Sequence, residues 1–518
     1  MSSRIFNITL AVIAILGSLA VYVATSQFGP GLSTDGARYL STAENFAAGL
    51  GLVDYFHEPL VNWPPLYPAI LAALHSLSGL DVMLLAQIIN ILAFGAIIAL
   101  SGVFILRALP GQRLFALLAS AVVASLVALL EVSANVASDP LFMVCVLLWL
   151  LAAQRYVAER APRHFWQMAA LAAAACFLRY AGAALVMSGA LVVLLAWRPQ
   201  WRKGLLQAAA YGMASGLPIG LWAILHNYPL SGKLLGTHQP AYPLGLFVAF
   251  TDKVASWFVP ERILLLVPPL ALFGVLLALL ALRSTRQRWA SFGQQILSAP
   301  LLPAAAFTLV YGGMLIFAIS YSEHRVPGSQ RLHALLLPCL LALGAAVWAH
   351  FGPRLAGLWR TVALLAACLW LAFPLYRTVE YVRRSHAEGD VSYYNLYNTR
   401  GLRQSEFAAH LSQLALKPED KVYSNNEGAA WFLLRRRIYR LPRYDGETQA
   451  SLESSLLAFD GWPAADDTAY MLWFGNQLDY KRDVPTPEQM QAILPESTLR
   501  VLSSFRSGYG DVFILDTE

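Results

Sequence analysis

Asp35 and Arg38 stand three residues apart, with Tyr39 beside them, in the run Thr34-Asp35-Gly36-Ala37-Arg38-Tyr39-Leu40 just past the first apolar stretch. On a helix beginning near Thr34 the carboxylate and the guanidinium share a face and can meet one ligand. Such a carboxylate can act as general base toward a hydroxyl, although Thr34 or Asp35 could equally cap the helix. Ser138-Asp139-Pro140 sets a second lone acid at the mouth of another apolar run. Pro140 there suits the first helical position, and Asp139 too could be a cap. Two acids at the ends of neighbouring apolar runs also fit a paired-carboxylate site, one acting as base while the other orients acceptor or donor.

Arg179 interrupts an apolar stretch. An ionisable group at membrane depth is a functional candidate, the alternative being a span that ends there with Arg179 reaching toward the interface. The segment Ser322-Glu323-His324-Arg325-Val326-Pro327-Gly328-Ser329-Gln330-Arg331 gathers several cations. Guanidiniums of Arg325 or Arg331 could grip a phosphate through charge-assisted hydrogen bonds, or simply be solvated. His57 and Glu58 lie together without a third ligand, and Arg435-Arg436-Arg437 with Arg440 reads as a solvated helix end. No Walker A loop, GxGxxG after a strand or HExxH is present,.

The elements that must carry these residues are membrane spans. Of 518 residues 57% are hydrophobic and 13% charged, and the mean hydropathy is +0.53. Soluble chains usually carry about 25% charged residues, so this composition describes a polytopic α-helical membrane protein. The net charge of +6 comes from short basic clusters between apolar runs, which points to cytoplasmic loops and away from nucleic acid,. All four cysteines fall in apolar segments without metal-ligand spacing,. Apolar runs recur at 8–27, 83–106, 113–131, 140–158, 165–178, 180–197, 204–225, 262–282, 301–320, 332–350 and 359–377, about eleven spans,. The first is long for a cleaved signal peptide and is read as an uncleaved span. With the N-terminus inside, every inner loop is basic while 132–139 has no Lys or Arg, and the C-terminus falls outside,.

The membrane-embedded part is expected over 1–377, with a first outer loop at 29–82. In that loop Tyr39, Leu40, Ala43, Phe46, Ala47 and Leu50 have helical spacing, which describes a short helix lying along the interface; 66–77 could lie the same way,. A second long outer segment, 226–261, carries Tyr242 and Trp257, which suit the headgroup region,. From 378 to 518 the composition is that of an extracytoplasmic α/β domain. Strands are expected at 421–424, 438–441 and 469–474, helices at 426–436 and 485–493, and a hairpin from 500–505 and 512–515,.

Three motifs in order then resemble the GT-C integral-membrane glycosyltransferases, in the branch of protein O-mannosyltransferases and aminoarabinose transferases. They are Asp35 to Leu40 followed by Ala43-Glu44-Asn45-Phe46-Ala47-Ala48-Gly49; Trp63-Pro64-Pro65-Leu66-Tyr67-Pro68; and Ser138-Asp139-Pro140-Leu141-Phe142. Leu178-Arg179-Tyr180 and Arg331-Leu332-His333 are similar to later family positions. The resemblance implies a polyprenyl-phosphate-linked sugar donor and an extracytoplasmic glycan, lipid or protein acceptor. Transfer would be inverting, in a plasma (inner) membrane enzyme with its site on the outer face. Asp35 would be the base, with Asp139 as its partner. Arg38, Tyr39, Arg179 and Arg331 or Arg325 would hold the donor phosphate, and Glu44, His57, Glu58 and Trp63 would border the substrate pocket. A divalent metal is allowed but not required. In the aminoarabinose-transferring relatives a lysine precedes the Pro-Pro pair; here Trp63 stands there. The competing expectation is a transporter or flippase of lipid-linked sugars, which usually shows internal repeats around a mid-membrane site.

Overall fold

The computed structural model describes residues 1–232, 286–321, 330–351, 357–389, 395–444, 448–464, 467–475, 484–495 and 499–516, together with 234, 255, 256 and 392. The expected span at 262–282, most of the segment 226–261, and Arg325 lie outside them.

The first ten helices are α1 (Ser3–Thr25), α2 (Thr34–Ala47), α3 (Leu66–Ser78), α4 (Val82–Ala108), α5 (Arg113–Ala124), α6 (Val127–Ser133), α7 (Asp139–Glu159), α8 (Pro162–Leu178), α9 (Ala183–Ala196) and α10 (Trp201–Trp222). Ser3–Thr25, Val82–Ala108, Asp139–Glu159 and Arg198–Ser231 are each long and apolar enough to cross a membrane, and α5 with α6 makes a fifth if that bent pair is one span. The protein is a multi-pass integral membrane protein.

Helices α1 and α4 pack closely because small residues face each other. A Cβ on Gly17 would come within 2.2 Å of Ile98, and one on Gly95 within 2.4 Å of the Ser18 hydroxyl. Backbones that approach this closely gain dispersion contacts that lipid tails cannot match. The expected single span at 113–131 is instead broken: α5 and α6 meet at 56°. The carbonyl of Ser125 at the break accepts a hydrogen bond from the Thr378 hydroxyl (2.8 Å), so the kink leaves that group satisfied,.

Part of the expected interfacial character of α2 gives way to burial. Ser33 caps this helix by accepting the Gly36 N–H, so neither Thr34 nor Asp35 is needed for that role,. Residues Gly36 to Ala43 include seven buried positions on every side of the helix, Ser41 and Thr42 among them, while Phe46 and Leu50 stay exposed. A Cβ at position 36 would meet the Val136 carbonyl at 2.9 Å, which is why glycine stands there.

The segment leading into α2 is held from two directions. Gly31 N–H donates to the Ala134 carbonyl and Val136 N–H donates back to Gly31, both at 2.8 Å, a bridge to the segment leading into α7. From the far end of the chain, Leu32 N–H donates to Asn395 Oδ1 (2.9 Å), and the Asn398 amide donates to the carbonyls of Phe28 and Pro30 (2.8 and 2.7 Å). These residues follow a helix, Leu358–Glu388, that extends beyond the apolar run at 359–377.

The C-terminal sheet contains β1 (Lys421–Ser424), β2 (Ala469–Phe474), β3 (Arg500–Arg506) and β4 (Gly510–Asp516) in the order β1-β2-β4-β3. β1 is parallel to β2, and the other pairings are antiparallel. The helix expected at 426–436 is Glu427–Leu434, capped by Asn426, and that at 485–493 is Pro487–Ile493 with a capping box on Thr486. The strand expected at 438–441 forms only an isolated bridge, Tyr423 to Tyr439. Ile438 N–H is diverted to the Tyr55 carbonyl in the segment between α2 and α3 (2.9 Å), which takes the chain off the sheet.

Asn398 is fully buried. Replacing it with alanine strands two backbone carbonyls in a closed joint, at about 1–3 kcal/mol for an unsatisfied buried group. Thermal unfolding of purified Asn398→Ala in detergent should show a midpoint several degrees below wild type.

Candidate active site

Two acid–guanidinium pairs lie at the ends of helices brought together by the Gly31 bridge. Asp35, in the first turn of α2, accepts from Arg331 at 3.2 Å. Arg331 sits on a short helix, Gln330–Ala334, that packs by α6. Asp139, the first residue of α7, accepts from Arg179 at 2.6 Å. Arg179 owes its position to a break: its backbone is extended between α8 and the turn Tyr180–Gly182, which frees the side chain to cross toward α7.

Tyr39 and Ser138 join the pairs. The two hydroxyls lie 3.3 Å apart, and the Arg179 guanidinium donates to Ser138 at 3.4 Å. Tyr39 stands edge-on to Tyr67 of α3, with ring centroids 5.1 Å apart. Burial pushes the Tyr39 hydroxyl well above the ordinary phenol range, partly countered by Arg179. Tyr39 is therefore a neutral donor or acceptor here, never a base.

The two carboxylates differ in access. The Asp35 side chain is 29% exposed, whereas that of Asp139 is 4% exposed. The second carboxylate oxygen of Asp139 and the hydroxyl of Tyr67 are buried without a hydrogen-bond partner. Among the described residues no three of His, Cys, Asp and Glu converge as a metal set.

Arg38 points elsewhere. It is paired with the buried carboxylate of Asp54, and its guanidinium lies over the rings of Trp63 (4.8 Å), Tyr55 (5.4 Å) and Phe56 (5.6 Å). Asp54 also accepts from Phe56 N–H and Glu58 N–H, so it shapes the loop as well as holding the arginine. Burial raises the Asp54 carboxyl above the usual carboxylate range, against the opposing pull of Arg38. Sequence reasoning missed Asp54. Its signal was an acid enclosed by Val53, Tyr55 and Phe56, a setting that obliges a cationic partner,.

Glu44, His57 and Glu58 lie against the C-terminal domain and apart from the acid pairs. Glu44 accepts from Arg435 (2.9 Å), and Glu58 is paired with Arg440, which lies over Phe56 at 4.0 Å. The Arg440 hydrogen bond holds Glu58 below the usual carboxylate range. His57, with a left-handed backbone (φ 63°), borders a cleft of about 660 Å³ with Arg437 and Tyr439. The arginines of 435–440 are thus not a solvated helix end. Arg435 and Arg440 dock on Glu44 of α2 and on Glu58 in the segment after it, and Arg436 donates to the carbonyls of Lys417, Pro418 and Asp420.

No protein-family model and no curated protein sequence matches this chain. Solved structures do. ArnT from Cupriavidus metallidurans in the apo state superimposes with a TM-score of 0.58 at 15% identity, covering 99% of this chain and 98% of ArnT. The same protein bound to undecaprenyl phosphate gives a TM-score of 0.56 at 15% identity over the same shares of both chains. Across nearly its whole length, the chain has the fold of the GT-C integral-membrane glycosyltransferases.

Proposed function

We propose that the protein transfers a sugar from a polyprenyl-phosphate donor to a hydroxyl of an extracytoplasmic glycan, lipid or protein. The membrane-embedded part, 1–377, would carry the chemistry and 378–518 would face the acceptor side. The enzyme would lie in the inner membrane with Asp35 toward the outer face, as the basic inner loops favour. The observation that carries this reading is the placement of Asp35. Its carboxylate is released from capping by Ser33, partly exposed, and paired with a guanidinium at a helix start. The fold is shared with ArnT, which has been solved with undecaprenyl phosphate bound.

In the proposed step Asp35 takes the proton of the acceptor hydroxyl. The oxygen attacks the anomeric carbon on the face opposite the phosphate, the bond from that carbon to the phosphate oxygen breaks, and the configuration inverts. The electron pair passes to the leaving oxygen, so the lipid phosphate changes from a diester monoanion to a monoester with greater negative charge. Arg331 stabilises that charge while still bonded to Asp35, since a guanidinium offers five N–H donors in a fixed fork. Arg38, paired with Asp54 and lying over Trp63, the residue that stands where the aminoarabinose-transferring relatives have a lysine, would border the donor pocket rather than grip the phosphate. Asp139 is too enclosed to meet a substrate hydroxyl; it fixes Arg179, Ser138 and through them Tyr39.

Three outcomes test this assignment. Asp35→Asn should lower sugar transfer roughly 10²- to 10⁴-fold, the usual contribution of a general base. Mass spectrometry of envelope glycans, lipids and proteins from a deletion strain complemented with either allele reads the change, and normal transfer at normal protein level would end the mechanism. Asp139→Asn should act on stability instead, because it leaves Arg179 mostly buried without its counter-charge at a cost of up to about 3 kcal/mol. A thermal midpoint equal to that of Asp35→Asn would contradict this division of roles. Arg331→Ala should weaken binding of undecaprenyl phosphate about tenfold or more, with Arg331→Lys recovering part of the loss, as measured by titration in lipid nanodiscs.

A further inference from the structure

At the opposite ends of α4 and α7 from the acid pairs, two arginines share a cleft without an acid between them. Arg107 stands in the last turn of α4 and Arg155 near the end of α7, and both line a cavity of about 200 Å³ with Gln154, Glu159 and Pro300. Among the described residues neither arginine is in an ion pair. Glu159, at the rim, is already shared by Arg163 (2.6 Å) and His164 (3.1 Å). Like charges brought together at a cleft repel unless an anion lies between them.

Two stranded polar atoms line the same cleft and have opposite character. One nitrogen of the Arg107 guanidinium is buried with no acceptor, and Gln154 Oε1 is buried with no donor. The other end of that amide is spoken for, since Gln154 Nε2 donates to the Pro300 carbonyl at 2.9 Å. Each stranded group costs about 1–3 kcal/mol if nothing meets it. A ligand that satisfies both must carry an anionic oxygen for Arg107 and Arg155 and a hydroxyl for Gln154.

We propose that this cleft binds the headgroup of an anionic phospholipid of the inner leaflet. The phosphate lies between Arg107 and Arg155, and a headgroup hydroxyl donates to Gln154 Oε1. The setting favours a lipid over a free ion. The cleft opens where two membrane-length helices end, which is the depth of the headgroups, and Arg113, Arg160 and Arg163 crowd the same basic side,. By tying the ends of α4 and α7 to the loop before Leu302–Tyr321, the lipid would brace the bundle from the side away from Asp35.

Native mass spectrometry of the full chain, released from nanodiscs of phosphatidylcholine containing a third phosphatidylglycerol, tests this directly. Wild type should retain a phosphatidylglycerol adduct, and Arg107→Gln/Arg155→Gln should lose it about twenty-five-fold, given about fivefold for each cation near the headgroups. Arg155→Gln alone, at an exposed position, gives a folded comparison if the double variant does not accumulate. Gln154→Leu should favour phosphatidic acid over phosphatidylglycerol relative to wild type, because only the hydroxyl contact is removed. Equal retention of phosphatidylcholine, or adducts unchanged in Arg155→Gln and the double variant, would overturn the proposal. So would inorganic phosphate raising the thermal midpoint in pure phosphatidylcholine nanodiscs as far as phosphatidylglycerol does, since the cleft would then take the ion without the lipid.

Discussion

The site depends on one short backbone bridge. Gly31 exchanges two hydrogen bonds with the segment around Asn135, and this sets the start of α2 beside the start of α7. Asp35 and Asp139 are separated by about a hundred residues of chain, yet each lies four positions beyond its side of that bridge. Asn135 is held in turn, its carbonyl accepting from Asn90 of α4 at 2.6 Å. A bridge of this kind in a dry environment is strong, because the alternative is two unpaired peptide groups that water cannot reach. Everything else at the site, from the Tyr39–Ser138 contact to the crossing of Arg179, presupposes that alignment.

Burial then assigns different work to two chemically identical side chains. A carboxylate as enclosed as Asp139 loses hydration that only a close counter-charge can offset. Arg179 supplies it through one carboxylate oxygen, the other remaining buried without a partner. Asp35 keeps access to solvent and a longer contact with Arg331, so part of its carboxylate is left open to a substrate. The same logic explains Arg38. Its position three residues along α2 does place it on the side of Asp35, but the buried acid at Asp54 needs a counter-charge and takes the guanidinium,. The cation–π contacts with Trp63, Tyr55 and Phe56 add to that hold,.

Local patterns in the sequence were legible where local forces decide. β1 and β2, the capped helices starting at Glu427 and Pro487, and the last hairpin follow from alternation and capping chemistry. The convergence of Asp35, Asp139, Arg179 and Arg331 was suggested by charges placed where apolar chain can ill afford them. What stayed hidden is tertiary. A helical apolar face on α2 looks the same whether lipid or protein covers it, and protein covers much of it. Ile438 looks like the start of a strand until Tyr55 takes its N–H. The arginines at 435–440 look solvated until their acidic partners at Glu44 and Glu58 arrive from nearly four hundred residues away.

Those long-range contacts show how firmly residues 395–440 hold the proposed base. Glu44 with Arg435 and Glu58 with Arg440 are partly exposed pairs, each worth about 0–1 kcal/mol,. The contacts at the other end of α2 are of a different order. Asn395 and Asn398 meet buried backbone of residues 28–32, and the Thr34 hydroxyl lies 2.9 Å from that of Tyr397. Loss of the buried ones, from Leu32 N–H to Asn395 and from Asn398 to the Pro30 carbonyl, costs more than a surface pair,. The first turn of α2 is therefore fixed from both sides, by the Gly31 bridge and by residues 395–398, while its last turn is tied by the Glu44–Arg435 pair and by the Asn45 amide, which donates to the carbonyls of Val53 and Asp54 (3.0 and 2.9 Å). A reacting carboxylate must be placed to within about half an ångström, and Asp35 sits in the turn where the restraint is greatest. Residues 395–398 in this sense belong to the proposed site, since they complete the backbone frame in which Asp35 is held.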